Sequence, residues 1–351
     1  MLYLSEQNVE QLLDGKMKET VALMRDVFEI VETGDFTMGG ENGKSHGFRL
    51  PVEMLDHQLY LAMPGYLGGK YNSVGVKWHG PNKFIGDNDS DIYYTMIVND
   101  VQTGKPMAIM RADLLTRYRT AATAALAAEC LAQGDPVEIG VIGSGRINYL
   151  SLQYLLERFD SIKRIKIKGR GEDSRNQFID RLRRESTRAE VSAADTIKDA
   201  VQDSDIVLIN TGFSFQKYSD MPMIKSSYIN KPTVFVCSSF AHFSDQDITE
   251  RTINVCDMFA IYENYIEELG YPAFKKYGSP GSRFADLVVD KKLRKEDVID
   301  LSNIISGNKV ISKDNTRPVI FSSTGMSLED LALAEYLYKA AKRNSIGKEL
   351  D

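Results

Sequence analysis

The sequence predicts a two-domain α/β protein, in which a doubly wound parallel sheet is joined to a discontinuous α+β domain. Two observations lead to this fold class. From Thr116 onward, apolar strand-like runs alternate with helical runs, which is the pattern of a parallel sheet covered by helices. Before Thr116, short strand-like runs mix with helical ones, as in an α+β unit. A length of 351 residues also suits two domains, at about 150 residues each.

Composition and charge argue against several classes of protein. The net charge of -6 speaks against a nucleic-acid binder, which needs a clustered basic excess. No apolar run approaches the about 20 residues of a membrane helix, so we expect no membrane contact. The four histidines and three cysteines lack the spacing of metal ligands or of a CxxC pair. We therefore expect no metal site, no disulfide framework and a reducing, cytoplasmic compartment.

The first part of the chain contains the elements of the α+β domain. Ser5, followed by EQNVEQLL, indicates a capped helix after a short strand. The run VALMRDVFEIVETGD predicts another helix, and strands are predicted for QLYLAMP, SVGVKW and YYTMIVND. The amphipathic run LEDLALAEYLYKAAKR near the C-terminus predicts a helix that packs back onto this part. We therefore expect one discontinuous domain of residues 1–115 and 321–351.

Residues 116–320 are predicted to form the doubly wound domain. The Ala-rich run TRYRTAATAALAAECLAQ is helical, and VEIGVIG is a buried strand of the kind that parallel sheets require. Further strands are predicted for RIKIK, DIVLIN, TVFVCSS and INVCDMFAIY, separated by the helical runs DSRNQFIDRLRR and TIKDAVQD. Ligands of such sheets bind at the carboxyl ends of the strands.

The stretch GVIGSGRINYL, from Gly140 to Leu150, indicates a Rossmann-type dinucleotide site. Gly143 permits a tight turn after the strand, and Gly145 lets the backbone approach a pyrophosphate at the start of a helix. A merely structural turn is the alternative. Asn148 replaces the third small residue, which either moves the helix away from the sheet or lets its amide satisfy a helix-start N–H. The residues predicted to contact the cofactor here are Gly143, Ser144, Gly145, Arg146 and Ile147.

The end of the next strand bears on the choice of cofactor. NAD sites usually carry an acid there to bind the ribose 2′-hydroxyl, whereas an arginine accommodates the 2′-phosphate of NADP. Here the strand ends in Lys168, Gly169 and Arg170. We therefore predict NADP as the preferred cofactor, bound through Arg170. Glu172 lies close enough in sequence to leave NAD possible, and a solvated Arg170 is the alternative.

Four motifs recur together in one protein family. They are VGVKWHGPN around Lys77, LLTRYRTAATAALAA around Arg119, the VIGSG turn and the terminal SSTGMSLEDLALA. With them the chain resembles the ornithine cyclodeaminase/μ-crystallin family over essentially its whole length. Within that family, AMPGYLGG, GVKW and the C-terminal run look closest to a branch of siderophore-pathway dehydrogenases, which oxidatively cleave an aminocarboxyethyl-glutamate to diaminopropionate.

The resemblance implies a homodimer whose first domain binds substrate and forms the subunit contact, with the active site in a cleft beside the Rossmann domain. Lys77 and Arg119 fall on the family's substrate positions, and Arg49 is a plausible match for a further carboxylate-binding arginine. Thr120 and Ala121 fall where the family contacts cofactor phosphate, at the start of a long helix. Ser323 falls near its nicotinamide loop. Further predicted cofactor contacts are Thr211, Thr324, Gly325 and Met326.

The residue types suit these roles. Arginine presents a planar fork that pairs with an α-carboxylate. A shielded lysine near other cations has a lowered pKa and can move a proton to or from a substrate nitrogen. The structural alternatives are an edge-strand charge for Lys77 and a helix-start charge for Arg119. His79 is either a proton relay or an ordinary pocket histidine.

The chain departs from the cyclodeaminase pattern at two acids. Leu61 stands where these enzymes carry a glutamate, and their aspartate's place falls near Ala241, with His242 and Asp245 as the neighbouring polar residues. Ring closure with loss of ammonium needs such a carboxylate as a base. The family's glutamine after the glycines is Ile147 here.

Together these observations predict an NAD(P)-dependent oxidoreductase that acts at the Cα of an amino acid or of its imine or keto form. The partner is a small amino-acid-like substrate. Two alternatives remain open: an ornithine cyclodeaminase-type lyase that makes proline and ammonia, and a non-catalytic, NADP-dependent ligand-binding protein of the crystallin type.

Overall fold

The structure is a computed structural model that describes residues 1–52, 58–80, 93–185, 188–211, 221–312 and 314–351. Its contacts divide the chain into two compact units. Unit 1 comprises Met1–Ala122 and Gly325–Asp351, and unit 2 comprises Thr123–Thr324. The predicted domain limits, and the roles predicted for the two domains, stay predictions. Pro81 and Asn82 of the motif VGVKWHGPN lie outside the described residues.

Strands and helices are numbered in chain order. The strands are β1 (Leu2–Leu4), β2 (Phe36–Met38), β3 (Phe48–Val52), β4 (Gln58–Leu67), β5 (Ser73–His79), β6 (Tyr94–Asn99), β7 (Pro106–Arg111), β8 (Glu138–Ile142), β9 (Arg164–Lys168), β10 (Glu190–Ala193), β11 (Ile206–Ile209), β12 (Met223–Ile224), β13 (Val234–Cys237), β14 (His242–Phe243), β15 (Ile253–Cys256), β16 (Val298–Asp300), β17 (Val319–Ser322) and β18 (Lys348–Glu349). The helices are α1 (Glu6–Leu13), α2 (Met17–Thr33), α3 (Asp113–Leu131), α4 (Arg146–Arg158), α5 (Glu172–Arg184), α6 (Ile197–Val201), α7 (Phe259–Leu269), α8 (Pro280–Val289), α9 (Leu301–Ile305) and α10 (Ser327–Asn344).

Unit 1 is a mixed sheet with helices on one face. Its strand order is β18-β1-β7-β6-β5-β4-β2, and β3 pairs with β4. The predicted capped helix is present. The side chain of Ser5 accepts a hydrogen bond from the backbone N–H of Asn8, and the side chain of Asn8 accepts one from the backbone N–H of Ser5. Helix α2 ends at Gly34 in the left-handed conformation. The terminal helix α10 packs on β4, β5 and α2, as its amphipathic pattern predicts.

The two faces of the unit 1 sheet differ. Side chains alternate between the faces along each strand, and the face towards α10 carries buried residues such as Met63, Met96 and Met110. On the other face, Phe48, Leu50 and Trp78 are exposed. Among the described residues, the sheet therefore has one packed face and one face with exposed apolar side chains.

Unit 2 contains an eight-stranded sheet in the order β10-β9-β8-β11-β13-β17-β15-β16, and each pair of neighbours is parallel. Every residue of β8, β11, β13 and β17 is buried, as expected for strands covered on both faces. The strand order reverses between β8 and β11, which makes this the switch point where doubly wound sheets bind ligands. The predicted fold class, a Rossmann doubly wound sheet with a discontinuous α+β unit, is confirmed.

Two sequence-based boundaries need correction, and one strand was not predicted. Helix α3 begins at Asp113 rather than Thr116, so Thr120 and Ala121 lie inside the helix and not at its start. In the run INVCDMFAIY the strand stops at Cys256, and α7 begins at Phe259. The run stays apolar across this junction because both elements are buried, so periodicity alone cannot separate them. The unpredicted strand β3 carries Arg49.

Within the described ranges, none of the helices combines the length and the apolar character needed to cross a bilayer. Among the same residues, no group of three or more His, Cys, Asp or Glu side chains is arranged to hold a metal ion. The three cysteines are free thiols.

Glycine at position 140 is required by the close approach of α6 to β8. A methyl group on Gly140 would lie 2.0 Å from the backbone oxygen of Ala200. We expect Gly140→Ala to lower the free energy of unfolding by about 1–3 kcal/mol, since backbone must move to relieve the overlap. Urea unfolding followed by circular dichroism measures the change. Gly39→Ala is the matched control, because its methyl would lie 3.4 Å from Pro64 Cγ; equal effects of the two variants would contradict this account.

Candidate active site

Lys77 is buried on the packed face of the unit 1 sheet. It lies in β5, between β4 and β6, opposite Met63 and Met96, and it is 1% exposed. Its Nζ donates to Asp330 Oδ2 at 2.6 Å and lies 5.6 Å from the centre of the Tyr94 ring. Lys77 is thus a buried, paired cation, and its interpretation as a solvated edge-strand charge is wrong.

Arg119 shares a carboxylate with Lys77. It lies in α3 and is 5% exposed, so it is not a helix-start surface charge. Its Nε donates to Asp330 Oδ1 at 3.0 Å, and its Nη1 donates to Glu329 Oε2 at 2.9 Å. Asp330 therefore bridges the two cations, with one carboxylate oxygen on each. Two of the three guanidinium nitrogens of Arg119 are used within the protein.

Glycine at position 325 makes room for the guanidinium. Gly325 has a φ of +84°, and a methyl group there would lie 2.0 Å from Arg119 Nη1. Its carbonyl oxygen accepts a hydrogen bond of 3.0 Å from Nδ1 of the buried His46. Gly325 was predicted to contact cofactor, and the structure shows it shaping the surroundings of Arg119.

Glu329 and Asp330 were missed by the sequence analysis. Both lie in the first turn of α10, where the helix dipole favours negative charge, and both are 0% exposed. The available signal was the pair of acids within the apolar run SLEDLALA. In isolation that pair reads as ordinary first-turn capping, because only the tertiary fold shows that the acids face buried cations.

Burial and neighbouring charges set the proton affinities of this cluster. Burial lowers the pKa of Lys77 to about 8, against the opposing effect of Asp330, and Arg119 adds to the lowering. Burial disfavours a charged Arg119, but the carboxylates of Asp330 and Glu329 outweigh it and raise the pKa of the guanidinium. Lys77 is thus the group of the pair that can exchange a proton near neutral pH.

Two histidines lie among these cations. Burial, and then the charges of Arg49, Lys77 and Arg119, lower the pKa of His46 well below its usual value. Burial, with Lys77, lowers the pKa of His79 to about 4. Both imidazoles are therefore neutral at pH 7. His46 was not singled out from the sequence, since a lone histidine in a loop carries no motif.

Arg49 belongs to the same face of the sheet. It lies opposite Leu61 in β4, which in turn lies opposite His79 in β5, and residues paired in this way project to one side. Its charge also contributes to the low pKa of His46. The structure thus places Arg49 on the sheet face that carries Lys77, and Asp330 links Lys77 to Arg119.

In unit 2, the glycine turn has the geometry of a nucleotide cradle. Gly143 has a φ of +104°, and a methyl group there would lie 1.9 Å from the backbone oxygen of Asn210. Gly145 precedes the first residue of α4, and a methyl group on it would meet no atom of the described residues within 4 Å. Glycine is required at position 143 by the backbone of Asn210, just after β11, and the space beside Gly145 leaves the start of α4 open.

Asn148 braces this turn rather than capping the helix. Its Nδ2 donates to the carbonyl oxygens of Gly143 at 2.8 Å and Ile142 at 3.0 Å, and it lies 3.4 Å from that of Asn210. The expectation that its amide would satisfy a helix-start N–H is wrong. The side chain joins β8, the turn and the end of β11, a role that local sequence cannot reveal because Asn210 is remote in the chain.

The other predicted cofactor residues of unit 2 fall at the carboxyl edge of the sheet. Thr211 follows β11, and its N–H donates to Ser239 Oγ at 3.0 Å. Ser144 Oγ donates to Ser174 Oγ at 3.2 Å. Arg146 and Arg170 are exposed, while Ile147 is half-buried at the start of α4.

The segment after β17 is ordered by Asp257, which sequence reasoning missed. Asp257 Oδ2 accepts from Thr324 N at 2.8 Å and from Ser323 Oγ at 3.1 Å. Thr324 Oγ1 also lies 2.8 Å from the hydroxyl of Tyr265.

In unit 1, Met326 is buried and precedes α10. Thr120 Oγ1 donates to the carbonyl of Thr116 within α3.

The acids of the cyclodeaminase pattern have no replacement among the residues that the sequence suggested. Leu61 is buried beside Arg49 and His79, and Ala241 is fully buried. Asp245 is held by Arg283 in a two-pronged pair, with bonds of 2.8 and 2.6 Å. The pKa of His242 is lowered by its burial.

Because Arg119 is bonded to two buried acids and Lys77 to one, we expect the loss of Arg119 to lower the free energy of unfolding more than the loss of Lys77. We expect Arg119→Met to lower the free energy of unfolding by about 3–5 kcal/mol, because Glu329 and Asp330 would lose a buried partner. Lys77→Met should cost less, since Asp330 keeps its bond to Arg119. Urea unfolding of both variants measures the difference. A larger loss for Lys77→Met would contradict the assignment of Arg119 as the main counter-charge.

Comparison with known proteins agrees with this geometry. The family model described as Ornithine cyclodeaminase/mu-crystallin family matches residues 9–345. The chain is 24% identical over 357 residues to N-((2S)-2-amino-2-carboxyethyl)-L-glutamate dehydrogenase of Staphylococcus aureus, covering 100% of this chain and 98% of that protein.

Two solved structures share the fold. Thermococcus litoralis Δ(1)-pyrroline-2-carboxylate reductase in complex with NADH and L-proline matches with a TM-score of 0.79 and 21% identity, covering 100% of both chains. An archaeal alanine dehydrogenase dimer with bound NAD matches with a TM-score of 0.79 and 23% identity, covering 100% of this chain and 99% of the other. The predicted resemblance is confirmed by the family match, and the chain belongs to the ornithine cyclodeaminase/mu-crystallin family.

Proposed function

We propose that this protein is an NAD(P)-dependent oxidoreductase that exchanges hydride at the Cα of an amino acid or of its imine or keto form. The observation that carries the proposal is the buried cluster of unit 1, in which Asp330 bridges Lys77 and Arg119. The names of the three relatives describe dehydrogenases or a reductase of amino acids, and they support the predicted reaction class.

The charge of the cluster favours an anionic substrate group. Arg49 and Arg119, with Lys77 when it is protonated, bring three positive charges to this cluster. An α-carboxylate is attracted to these charges, and burial strengthens the attraction because charges interact strongly where water is scarce. We assign this carboxylate to Arg119 and Arg49. Since Nε and Nη1 of Arg119 hold the acids, its Nη2 is the nitrogen offered to the substrate.

Lys77 is the proton donor or acceptor for the substrate nitrogen or for the oxygen of a carbinolamine. With a pKa of about 8, its amine and ammonium forms are both populated near neutral pH, which is what reversible proton transfer requires. Asp330 acts as a positioning residue, because it fixes Nζ at 2.6 Å. His79, neutral beside Lys77, is assigned to the pocket wall.

The glycine turn of unit 2 fits a dinucleotide. Gly143 provides the tight turn at the switch point, and the open side of Gly145 gives a pyrophosphate access to the start of α4. Bound nicotinamide supplies or accepts the hydride. Our assignment of NADP as the preferred form rests on Arg170, and NAD stays the alternative. The further contacts that we assign to the cofactor are Ser144, Arg146, Ile147, Thr120, Thr211, Thr324, Gly325 and Met326.

A spectrophotometric assay tests the reaction class. We expect amino acids with NADP or NAD, or keto acids or imines with NADPH or NADH, to give a net absorbance change at the nicotinamide band, and Lys77→Met to abolish it while cofactor binding persists. Proline and ammonia from ornithine without a net change would instead identify the lyase, which the residues at positions 61 and 241 disfavour. Ligand binding without turnover across a panel of amino and keto acids would identify the crystallin-type alternative.

The pH dependence of turnover tests the role of Asp330. Asp330 raises the pKa of Lys77 against the lowering effect of burial, so Asp330→Asn should move the Lys77 limb of kcat/KM from about pH 8 to lower pH. Glu329→Gln is the matched control and should move it less, because Glu329 has the smaller effect on Lys77. An unmoved limb in Asp330→Asn, or one at higher pH, would rule out Lys77 as the titrating group.

We further propose a homodimer formed through the exposed face of the unit 1 sheet. Phe48, Leu50 and Trp78 lie on this face with exposures of 69%, 44% and 37%, and Tyr60 stacks on Trp78 at 5.6 Å. An apolar sheet face of this kind is expected to be covered, and a second copy offers a matching surface. The name of the archaeal relative describes a dimer.

Light scattering on eluted protein tests the dimer. We expect the native chain to elute as a dimer and Phe48→Glu to elute as a monomer, because the charge would be buried unpaired at the interface. Val310→Glu, at an 81% exposed position of unit 2, should stay dimeric. A Phe48→Glu dimer as tight as the native one would refute the proposed surface.

The compartment that we propose is the cytoplasm. Cys237 and Cys256 are buried free thiols, and Cys130 is also unbridged, which suits a reducing environment.

A further inference from the structure

Arg175 is a largely shielded cation whose buried Nε is not used as a donor. Its side chain is 12% exposed, and its Nε has no hydrogen-bond partner among the described residues. Its Nη1 lies 3.6 Å from Asp195 Oδ1, and the Asp195 side chain is 89% exposed. That distance is too long for a hydrogen bond, so the contact leaves the buried Nε unsatisfied. Such a group in a native protein calls for an explanation, and an absent ligand is one.

The other arginines of α5 behave differently. Arg181 donates to Glu185, Arg183 donates to the carbonyl of Val191, and Arg184 donates to the carbonyl of Asp180. Arg175 is thus the arginine of α5 whose Nε is both buried and unpaired. Its position near the start of α5 places it beside the turn that follows β9.

Arg175 and the hydroxyls of Ser144 and Ser174 lie close together near Gly169. A methyl group on Gly169 would lie 2.8 Å from Arg175 Cβ and 3.1 Å from Ser144 Oγ, and Ser144 Oγ lies 3.2 Å from Ser174 Oγ. Arg175 Cβ and two hydroxyls therefore lie beside the carboxyl end of β9, and the guanidinium of Arg175 lies next to Asp195, which follows β10. In a doubly wound sheet with this strand order, that end lies where the adenosine ribose of a dinucleotide binds.

We propose that Arg175 is the residue that recognises the 2′-phosphate of NADP, with Ser144 and Ser174 as further hydrogen-bond donors. This inference rests on the proposed function, because it assumes that unit 2 binds a dinucleotide. A phosphate monoester offers several acceptor oxygens and up to two negative charges, which match the planar fork of an arginine. Arg170 is exposed at the tip of the turn and makes the outer contact, whereas the shielded Arg175 makes the discriminating one.

Burial is the reason for assigning the greater role to Arg175. An ion pair formed at an exposed side chain is weakened by water and by salt. A guanidinium that is already largely desolvated loses little hydration on binding, and its chain is already ordered, so more of the interaction with phosphate appears as affinity. A ribose hydroxyl cannot neutralise this cation, and NAD therefore leaves it as it is in the free protein.

Direct binding measurements on the full chain test the assignment. Dissociation constants for NADPH, NADH, adenosine 2′,5′-bisphosphate and AMP are measured by fluorescence or calorimetry for the native protein and for Arg175→Gln, Arg170→Gln and Arg184→Gln. The last variant is the matched control, since it removes the same charge from the same helix. The two adenosine nucleotides isolate the 2′-phosphate from any contact of the nicotinamide.

We expect Arg175→Gln to weaken NADPH and the bisphosphate by about tenfold or more, which is the usual size of a hydrogen bond to a charged group. Binding of NADH and AMP should stay within about twofold of the native value. Arg170→Gln should cause a smaller loss for NADPH, and Arg184→Gln should cause none. Arg175→Lys keeps the charge but not the planar fork, and it should recover part of the NADPH affinity. It also serves as the test variant if Arg175→Gln folds poorly.

The contrary results are distinct from a failure of the proposed function. Equal losses for NADPH and NADH in Arg175→Gln, or a loss for NADPH confined to Arg170→Gln, would overturn the assignment. A native protein that binds NADH more tightly than NADPH would overturn it as well, while leaving an NAD-dependent oxidoreductase intact. A native protein that binds neither dinucleotide would refute the proposed function itself.

Discussion

The structure of unit 1 depends on one carboxylate that two buried cations share. Lys77 and Arg119 come from different elements, β5 and α3, and both are almost completely removed from water. Neither charge is tolerable there without a partner, since an unpaired buried ion costs several kcal/mol, about as much as a domain's whole margin of stability. Asp330 supplies an oxygen to each. The helix that carries it must therefore return to the sheet, which accounts for the discontinuous course of the chain.

The same arrangement distinguishes the functions that we propose for the two cations. The guanidinium of Arg119 is permanently charged, and two acids hold it in place, which suits it to binding an anion. Lys77 is held by one acid and opposed by burial and by Arg119, so its proton is loosely held. A permanent charge and a labile proton beside one another are what a reaction at an amino acid needs, with one group for the carboxylate and the other for the nitrogen. The difference arises from residue type, and the acids bonded to each cation add to it.

The sequence predicted backbone-determined features well and side-chain networks poorly. Gly143 could be recognised because a tight turn after a buried strand leaves a local pattern, and the alternation of apolar runs predicted the doubly wound sheet for a similar reason. Lys77 and Arg119 were found through the motifs of a family. By contrast, Asp330, Asp257 and Asn148 act on residues that are distant in the chain or on backbone atoms, and no local pattern marks such contacts. Strand β3 was missed because Pro51 and exposed Phe48 and Leu50 obscure its alternation.

Leu61 shows how one position limits the chemistry of the site. It stands between Arg49 and His79 in a row across three strands, on the face that carries Lys77. A carboxylate at this position would have added a base for a substrate's second amino group, and its charge would also have raised the proton affinities of Lys77 and His79. Leucine does neither. In the reaction that we propose, Arg119 binds the α-carboxylate and Lys77 exchanges a proton with the nitrogen at Cα, whereas position 61 lacks the base that ring closure needs. The reaction class thus follows from the charge missing at position 61 as much as from the charges present around it.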